Sequence, residues 1–133
     1  MAGAIADTHA LIWYLLDSPR LSAPALAQFE TCRITGSRVG VPSISIVEII
    51  YLVEKGRIPP ETLPLLQEGL LEQSALLEII PTTYAIALAV QQVPWRQVPD
   101  LPDRIIAATA LYMGVQLITR DERISLSDVE TIW

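Results

Sequence analysis

Short apolar runs alternate with segments of helical apolar spacing from one end of this chain to the other. That alternation constrains the fold more than any other feature. Ala2–Ala6, Arg38–Val41, Ala75–Ile80, Val115–Thr119 and Val129–Trp133 are short and end at polar breaks or prolines, so they predict strands. Between them, Asp7 or Thr8 caps a helix through Leu11, Tyr14 and Leu15, and Ser22 caps a second with Pro24 in its first turn. Ser43–Glu54 is a strongly apolar helix that stops at Lys55-Gly56. Pro59–Glu72, Thr82–Val90 and Asp103–Met113 follow as helices, the last stopped by Gly114. Pro94, Pro99 and Pro102 mark Val93–Pro102 as a loop. Strand–helix alternation without repeats or linkers predicts one α/β domain over residues 1–133. Its central parallel sheet is covered on both faces.

Composition narrows the setting. The chain is 51% hydrophobic and 18% charged, against about 25% charged in ordinary domains, and its mean hydropathy is +0.40. Such a surface is expected to be covered in part by a partner or a second copy. No run approaches the roughly 18 apolar residues of a membrane span, and no basic leader precedes Asp7. Cys32 stands alone, which excludes a disulfide framework or a cysteine zinc cluster and predicts an ordinary buried thiol. The expected location is the cytoplasm. A net charge of −6 argues against bulk attraction to nucleic acid. Clustered carboxylates, however, count as negative charge until a metal arrives.

In parallel α/β sheets, sites form where strands hand over to helices. By that criterion the 15 acidic residues reduce to Asp7, Glu48, Asp103 and Asp121. Each also has a purely structural reading. Asp7 can cap the next helix. Ser45 and Glu48 fit a capping box in "SIVE", although Ile46, Val47, Ile49 and Ile50 make that face hard to solvate. Asp103 can complement a helix dipole, and Asp121 can be a turn residue. Yet all four fall where a parallel sheet would bring them together, and grouped carboxylates repel unless a cation or a proton intervenes. Oxygen-only ligands suit Mg²⁺ or Mn²⁺.

The stretches "ADTHALIWYLLDSPRLS", "SISIVEI", "DRIIAATA" and "LITRDERI" together resemble the PIN-domain proteins, most closely the small bacterial VapC-type toxins. The resemblance spans essentially the whole chain, and the last two stretches are its more specific motifs. It implies a three-layer α/β/α PIN-like fold with Mg²⁺- or Mn²⁺-dependent endoribonuclease activity, restrained by an antitoxin. The family's four acids fall on Asp7, Glu48, Asp103 and Asp121, and the hydroxyl before the fourth on Thr119. An additional family aspartate falls near Asp100, although "DLPDR" has its proline moved by one residue.

An acidic nuclease still needs basic contacts to RNA. Arg104 and Arg120 neighbour proposed ligands and are expected to clamp phosphates; for Arg123, pairing with a local acid competes with that role. Trp95 and Arg96 offer a base-stacking pair, with burial of Trp95 against the core as the stronger expectation. Thr8 is a candidate beside the ligands. His9 invites a general-base role, but a helix beginning at Asp7 is expected to turn it elsewhere. The apolar faces of Ser43–Val53 and of the first helix (Leu11, Trp13, Leu15) suit a homodimer seam or an antitoxin groove. The pattern argues against a phosphoacceptor module, since the only lysine is Lys55 and no Asp lies between Asp17 and Asp100. The rival reading is a non-catalytic PIN-like interaction module.

Overall fold

The computed structural model describes residues 2–72 and 75–133. Five strands, β1 (Ala2–Ala6), β2 (Arg38–Pro42), β3 (Leu77–Ile80), β4 (Gln116–Ile118) and β5 (Thr131–Ile132), form one sheet in the order β3-β2-β1-β4-β5. All four pairings are parallel. Helices α1 (Thr8–Leu15), α2 (Ala23–Thr35), α3 (Ser43–Glu54) and α4 (Thr62–Leu71) precede β3. Helices α5 (Tyr84–Ala89), α6 (Leu101–Met113) and the short α7 (Glu122–Ser125) follow it. The expected α/β architecture, helices on both faces of a parallel sheet, is present.

Alternation along the strands builds two cores. Val39, Val41, Ala4, Ala6 and Ile118 face α1–α4 with Leu11, Ile12, Phe29, Ile49 and Leu66. Ile5 and Leu117 face the other way, against Ile86, Ile106, Ala107 and Ala110. Ala2 and Ile5 share that second side because the β1–β2 register shifts between Ala2 and Ala4. Gly40 also faces it, and a Cβ there would lie 2.5 Å from Ile5 Cδ1 and 2.8 Å from Ile80 Cγ1. Only glycine lets those two isoleucines meet across β2.

Local chemistry explains the helix boundaries. Ser22 accepts from the Ala25 N–H, with Pro24 in the first turn of α2, and Gly36 ends that helix with φ 74°. Gly114 ends α6 with φ 67°. Helix α6 starts two residues before the expected Asp103, because Asp100 caps it and Pro102 occupies its first turn, where a missing N–H does no harm. The proline loop is correspondingly shorter. Helix α7 has no apolar repeat to announce it and rests on its Asp121 cap. Cys32 is a buried free thiol, as expected. Among the described residues, no helix is long and apolar enough to cross a membrane.

Candidate functional site

The order of the sheet reverses between β1 and β4: the chain lays β2 and β3 on one side of β1, then crosses to place β4 on the other. Such a switch point leaves a crevice beyond the carboxyl ends of the two strands. Asp7 directly follows β1 and Thr119 directly follows β4, and the Asp7 N–H donates to Ile118 O at 3.0 Å. The crevice is an open cavity of about 340 Å³. It is lined by Asp7, Thr8, His9, Trp13, Glu48, Asp100, Asp103, Arg120 and Asp121. Five carboxylates from four separate stretches of sequence therefore share one space.

Three of them also cap helices. Asp7 Oδ1 accepts from the Ala10 N–H at 2.8 Å, and its other oxygen accepts a short hydrogen bond from the Thr119 hydroxyl. Asp100 Oδ1 accepts from the Asp103 N–H at 3.1 Å. Asp121 Oδ1 accepts from the Arg123 N–H at 2.8 Å, while the Asp121 N–H donates to Thr119 Oγ1 at 3.0 Å. Capping and lining the cavity coincide, because helices that begin at strand ends turn their N-termini toward the crevice. The capping box expected at Ser45–Glu48 is absent. Helix α3 starts at Ser43 without a side-chain cap, which places Ser45 inside it. Ser45 is fully buried, with its hydroxyl 3.1 Å from Thr8 Oγ1. Thr8 donates to Glu48 Oε1 at 2.6 Å and so turns that carboxylate toward the cavity.

Asp103 reaches the site from the first turn of α6, whose Ala107, Ala108 and Ala110 are fully buried and let the helix lie close to the sheet. Burial, followed by the charges of Asp100, Asp121, Glu48 and Asp7, pushes the Asp103 carboxyl up to about 7. Burial also raises Asp7 above the ordinary carboxylate value, against the bonds from Thr119 and Ala10 that favour its ionised form. Glu48 is raised for the same first reason, opposed by Thr8. These groups cannot all ionise comfortably without a cation.

The donor chemistry fits a hard divalent ion. Carboxylate oxygens dominate, no thiol lines the cavity, and its one imidazole, His9, is exposed. Among the described residues, no three His, Cys, Asp or Glu side chains are set to hold an ion between them as they stand.

Comparison with known proteins then identifies the fold family. The family model of the PIN domain matches residues 4–130. This chain belongs to the PIN-domain family. The PIN domain described here is 31% identical over 126 residues to Ribonuclease VapC22 of Mycobacterium tuberculosis, covering 93% of this chain and 91% of that protein. It also superposes on a chain of the DNA-bound VapBC2 structure from Rickettsia felis with a TM-score of 0.71 at 16% identity, covering 98% of each. A chain of DNA-bound VapBC from Salmonella typhimurium gives 0.72 at 20% identity, covering 98% of this PIN domain and 97% of that chain. At such identities these two structures show the shared fold.

The PIN domain places several expected residues differently. Arg104 does not line the cavity; its guanidinium donates to Val93 O and Val90 O, both at 3.0 Å, and ties the proline loop to α6. Two of its five N–H donors are committed to these carbonyls outside the cavity, so it is not placed as a phosphate clamp there. Arg120 does line the cavity. Trp95 is 61% exposed rather than buried, with the Arg96 guanidinium 5.3 Å from its ring centroid. His9, expected to point elsewhere, lines the cavity from the start of α1, one turn before Trp13. Helical spacing does signal that pair, since residues four apart share a face. Helix α1 is also less available to partners than its sequence suggests, because Leu11, Ile12 and Trp13 are buried within the chain.

Proposed function

We propose that this PIN domain is a divalent-metal-dependent endoribonuclease, the toxin of a toxin–antitoxin pair, acting as one unit over residues 1–133 in the cytoplasm. The observation that carries the reading is the cavity itself: Asp7, Glu48, Asp103 and Asp121 converge at the switch point, and burial with the neighbouring acids pushes Asp103 up to about 7. The name of the Mycobacterium tuberculosis relative supports RNA as the substrate class. In this reading Asp7 and Asp103 hold Mg²⁺ or Mn²⁺, with Glu48 and Asp121 completing the site directly or through water. The ion would supply an activated water and offset charge on the attacked phosphodiester. Thr119 fixes Asp7, and Thr8 fixes Glu48. Asp100 shapes the rim as the cap of α6, and Arg120 offers the cavity's fixed positive charge to a flanking phosphate.

Two surfaces suit partners. Val47, Ile50 and Tyr51 leave an exposed apolar face on α3, proposed as the seam with a second copy. A groove of about 350 Å³ between α1 and α2, lined by Trp13, Tyr14, Leu15, Leu21 and Leu26 with Asp17 and Glu30, suits an antitoxin segment with basic residues. VapBC and FitAcB complexes among the structural neighbours support a toxin–antitoxin setting.

The test is induction of the chain alone in a bacterial host beside Asp103→Asn, following growth and mapping new RNA 5′ ends. Arrest with discrete cuts, absent from the variant, is the expected result. Soluble protein giving neither arrest nor cuts would favour the non-catalytic interaction module.

A further inference from the structure

Among the described residues, Arg120 is the only lysine or arginine lining the carboxylate cavity. It precedes Asp121 in the chain and shares the space with Asp7, Glu48, Asp100 and Asp103. A long, exposed guanidinium in that position would ordinarily fold onto a carboxylate, whose geometry it matches with paired N–H donors. It does not do so here. Among the described residues the only ion pair is Arg33 with Glu30 on α2, at 3.8 Å. The Arg120 guanidinium carbon instead stands 4.8 Å from the centroid of the Trp13 ring. That ring is itself fixed: Trp13 is only 7% exposed, with Trp133 and His9 rings each at 5.7 Å.

We propose that Trp13 is a positioning residue that holds Arg120 away from the carboxylates and presents its guanidinium to a substrate phosphate. This rests on the metallonuclease reading above and assigns Trp13 a part in it. The two demands on the site conflict. A cation site needs its carboxylates free, whereas an anionic substrate needs a positive group nearby. A guanidinium resting on the acids would neutralise the charge that attracts the ion and use up its own donors. Stacking on an indole engages only the flat face of the guanidinium, and its N–H groups radiate in the plane of the group, where they remain available. Trp13 thereby separates two opposite charges that would otherwise cancel.

The experiment is Mn²⁺ titration of the purified chain by electron paramagnetic resonance, comparing wild type with Arg120→Ala, Arg120→Lys, Trp13→Leu and Trp13→Leu/Arg120→Ala. Arg120→Ala is expected to bind Mn²⁺ within about twofold of wild type, because an exposed charge held off the ligands is well screened. Arg120→Lys keeps the charge without the planar stack and is expected to bind Mn²⁺ about three- to fivefold more weakly, as is Trp13→Leu. The double variant should return to the wild-type value. In an Asp103→Asn background, Arg120→Ala should weaken binding of a short single-stranded RNA by about tenfold.

A tenfold gain in Mn²⁺ affinity in Arg120→Ala would show that the guanidinium already occupies the carboxylates, and would overturn the proposal. Equal affinities for Trp13→Leu and the double variant would do the same. If Trp13→Leu does not fold, the two variants of exposed Arg120 decide the question. The Arg120 Nε–H resonance gives a reading independent of metal. Ring-current displacement in the wild type supports the stack, and an undisplaced resonance overturns it. Wild-type protein that binds no Mn²⁺ would instead count against the metallonuclease reading, leaving the resonance to decide the role of Trp13.

Discussion

Asp103 carries the sharpest conflict between folding and function. Its carboxyl ordinarily titrates near 3.8 and here is raised to about 7, first by burial and then by four neighbouring acids. The native state therefore holds this proton more tightly than the unfolded chain does. The resulting destabilisation is absent below the unfolded value and grows as pH rises through the window up to about 7. Asp7 and Glu48 are shifted in the same direction. The melting temperature of metal-free protein should fall across that window, and Asp103→Asn should flatten the decline while abolishing Mn²⁺ binding. A scan in chelator at several pH values checks both. Gly40 is the structural counterpart: Gly40→Ala forces a Cβ against fully buried Ile5 and against Ile80. That overpacking should cost about 1–3 kcal/mol in denaturant unfolding, with the cavity unaltered.

Among the elements, the short helix α7 depends most on its cap. It has four residues, and Asp121 Oδ1 accepts from both the Arg123 and Ile124 N–H groups. Asparagine caps about as well as aspartate but carries no charge. Asp121→Asn should therefore unfold at the wild-type denaturant concentration while losing metal affinity. Asp121→Ala should lose the metal and also about 1 kcal/mol of stability. The pair separates two roles that one side chain fills. The same logic applies to Asp7 at the start of α1, whose carboxylate, unlike that of Asp121, also accepts from the Thr119 hydroxyl. Helix α3 has a different dependence. It starts without a side-chain cap, and its buried anchors are Ser45 and Ile49. Its outer residues Val47, Ile50 and Tyr51 are exposed and form the proposed seam. Val47→Lys with Tyr51→Glu should convert a wild-type dimer to monomers in sedimentation velocity and leave Mn²⁺ affinity unchanged.

Across the whole molecule, a net charge of −6 includes the five acids gathered at one crevice. Binding of a divalent ion there should stabilise the native state by mass action, by about 2.7 kcal/mol when the free ion is at one hundred times its dissociation constant. Mn²⁺ should accordingly raise the melting temperature, and chelation should reverse the gain. The protein then has two stability regimes, ion-loaded and ion-free, and the difference between them should widen with rising pH. Calorimetry with and without Mn²⁺ at two pH values checks this; identical curves would contradict the placement of the ion among these carboxylates.

The parallel sheet and its covering helices were legible in the sequence because hydrophobic period, glycine stops and serine or proline starts are local signals. Ser22, Pro24 and Gly114 each act where they stand. The convergence of Asp7, Glu48, Asp103 and Asp121 was also legible, since strand ends in such sheets gather at one edge and α6 carries small residues on its sheet-facing side. What a residue does once it arrives was not. The choice between cap and site for Asp7 and Asp121 dissolved, because helix N-termini at a crevice direct their caps into it. The capping box at Glu48 failed because α3 begins earlier than "SIVE" suggests, leaving Thr8, itself in contact with buried Ser45, to hold the carboxylate. Arg104 and Arg120 look alike as neighbours of acids. Only packing sends one to the carbonyls of the proline loop and the other onto Trp13. Charge and periodicity belong to the chain, whereas the partner of a long side chain is chosen by whichever distant groups the fold brings within reach.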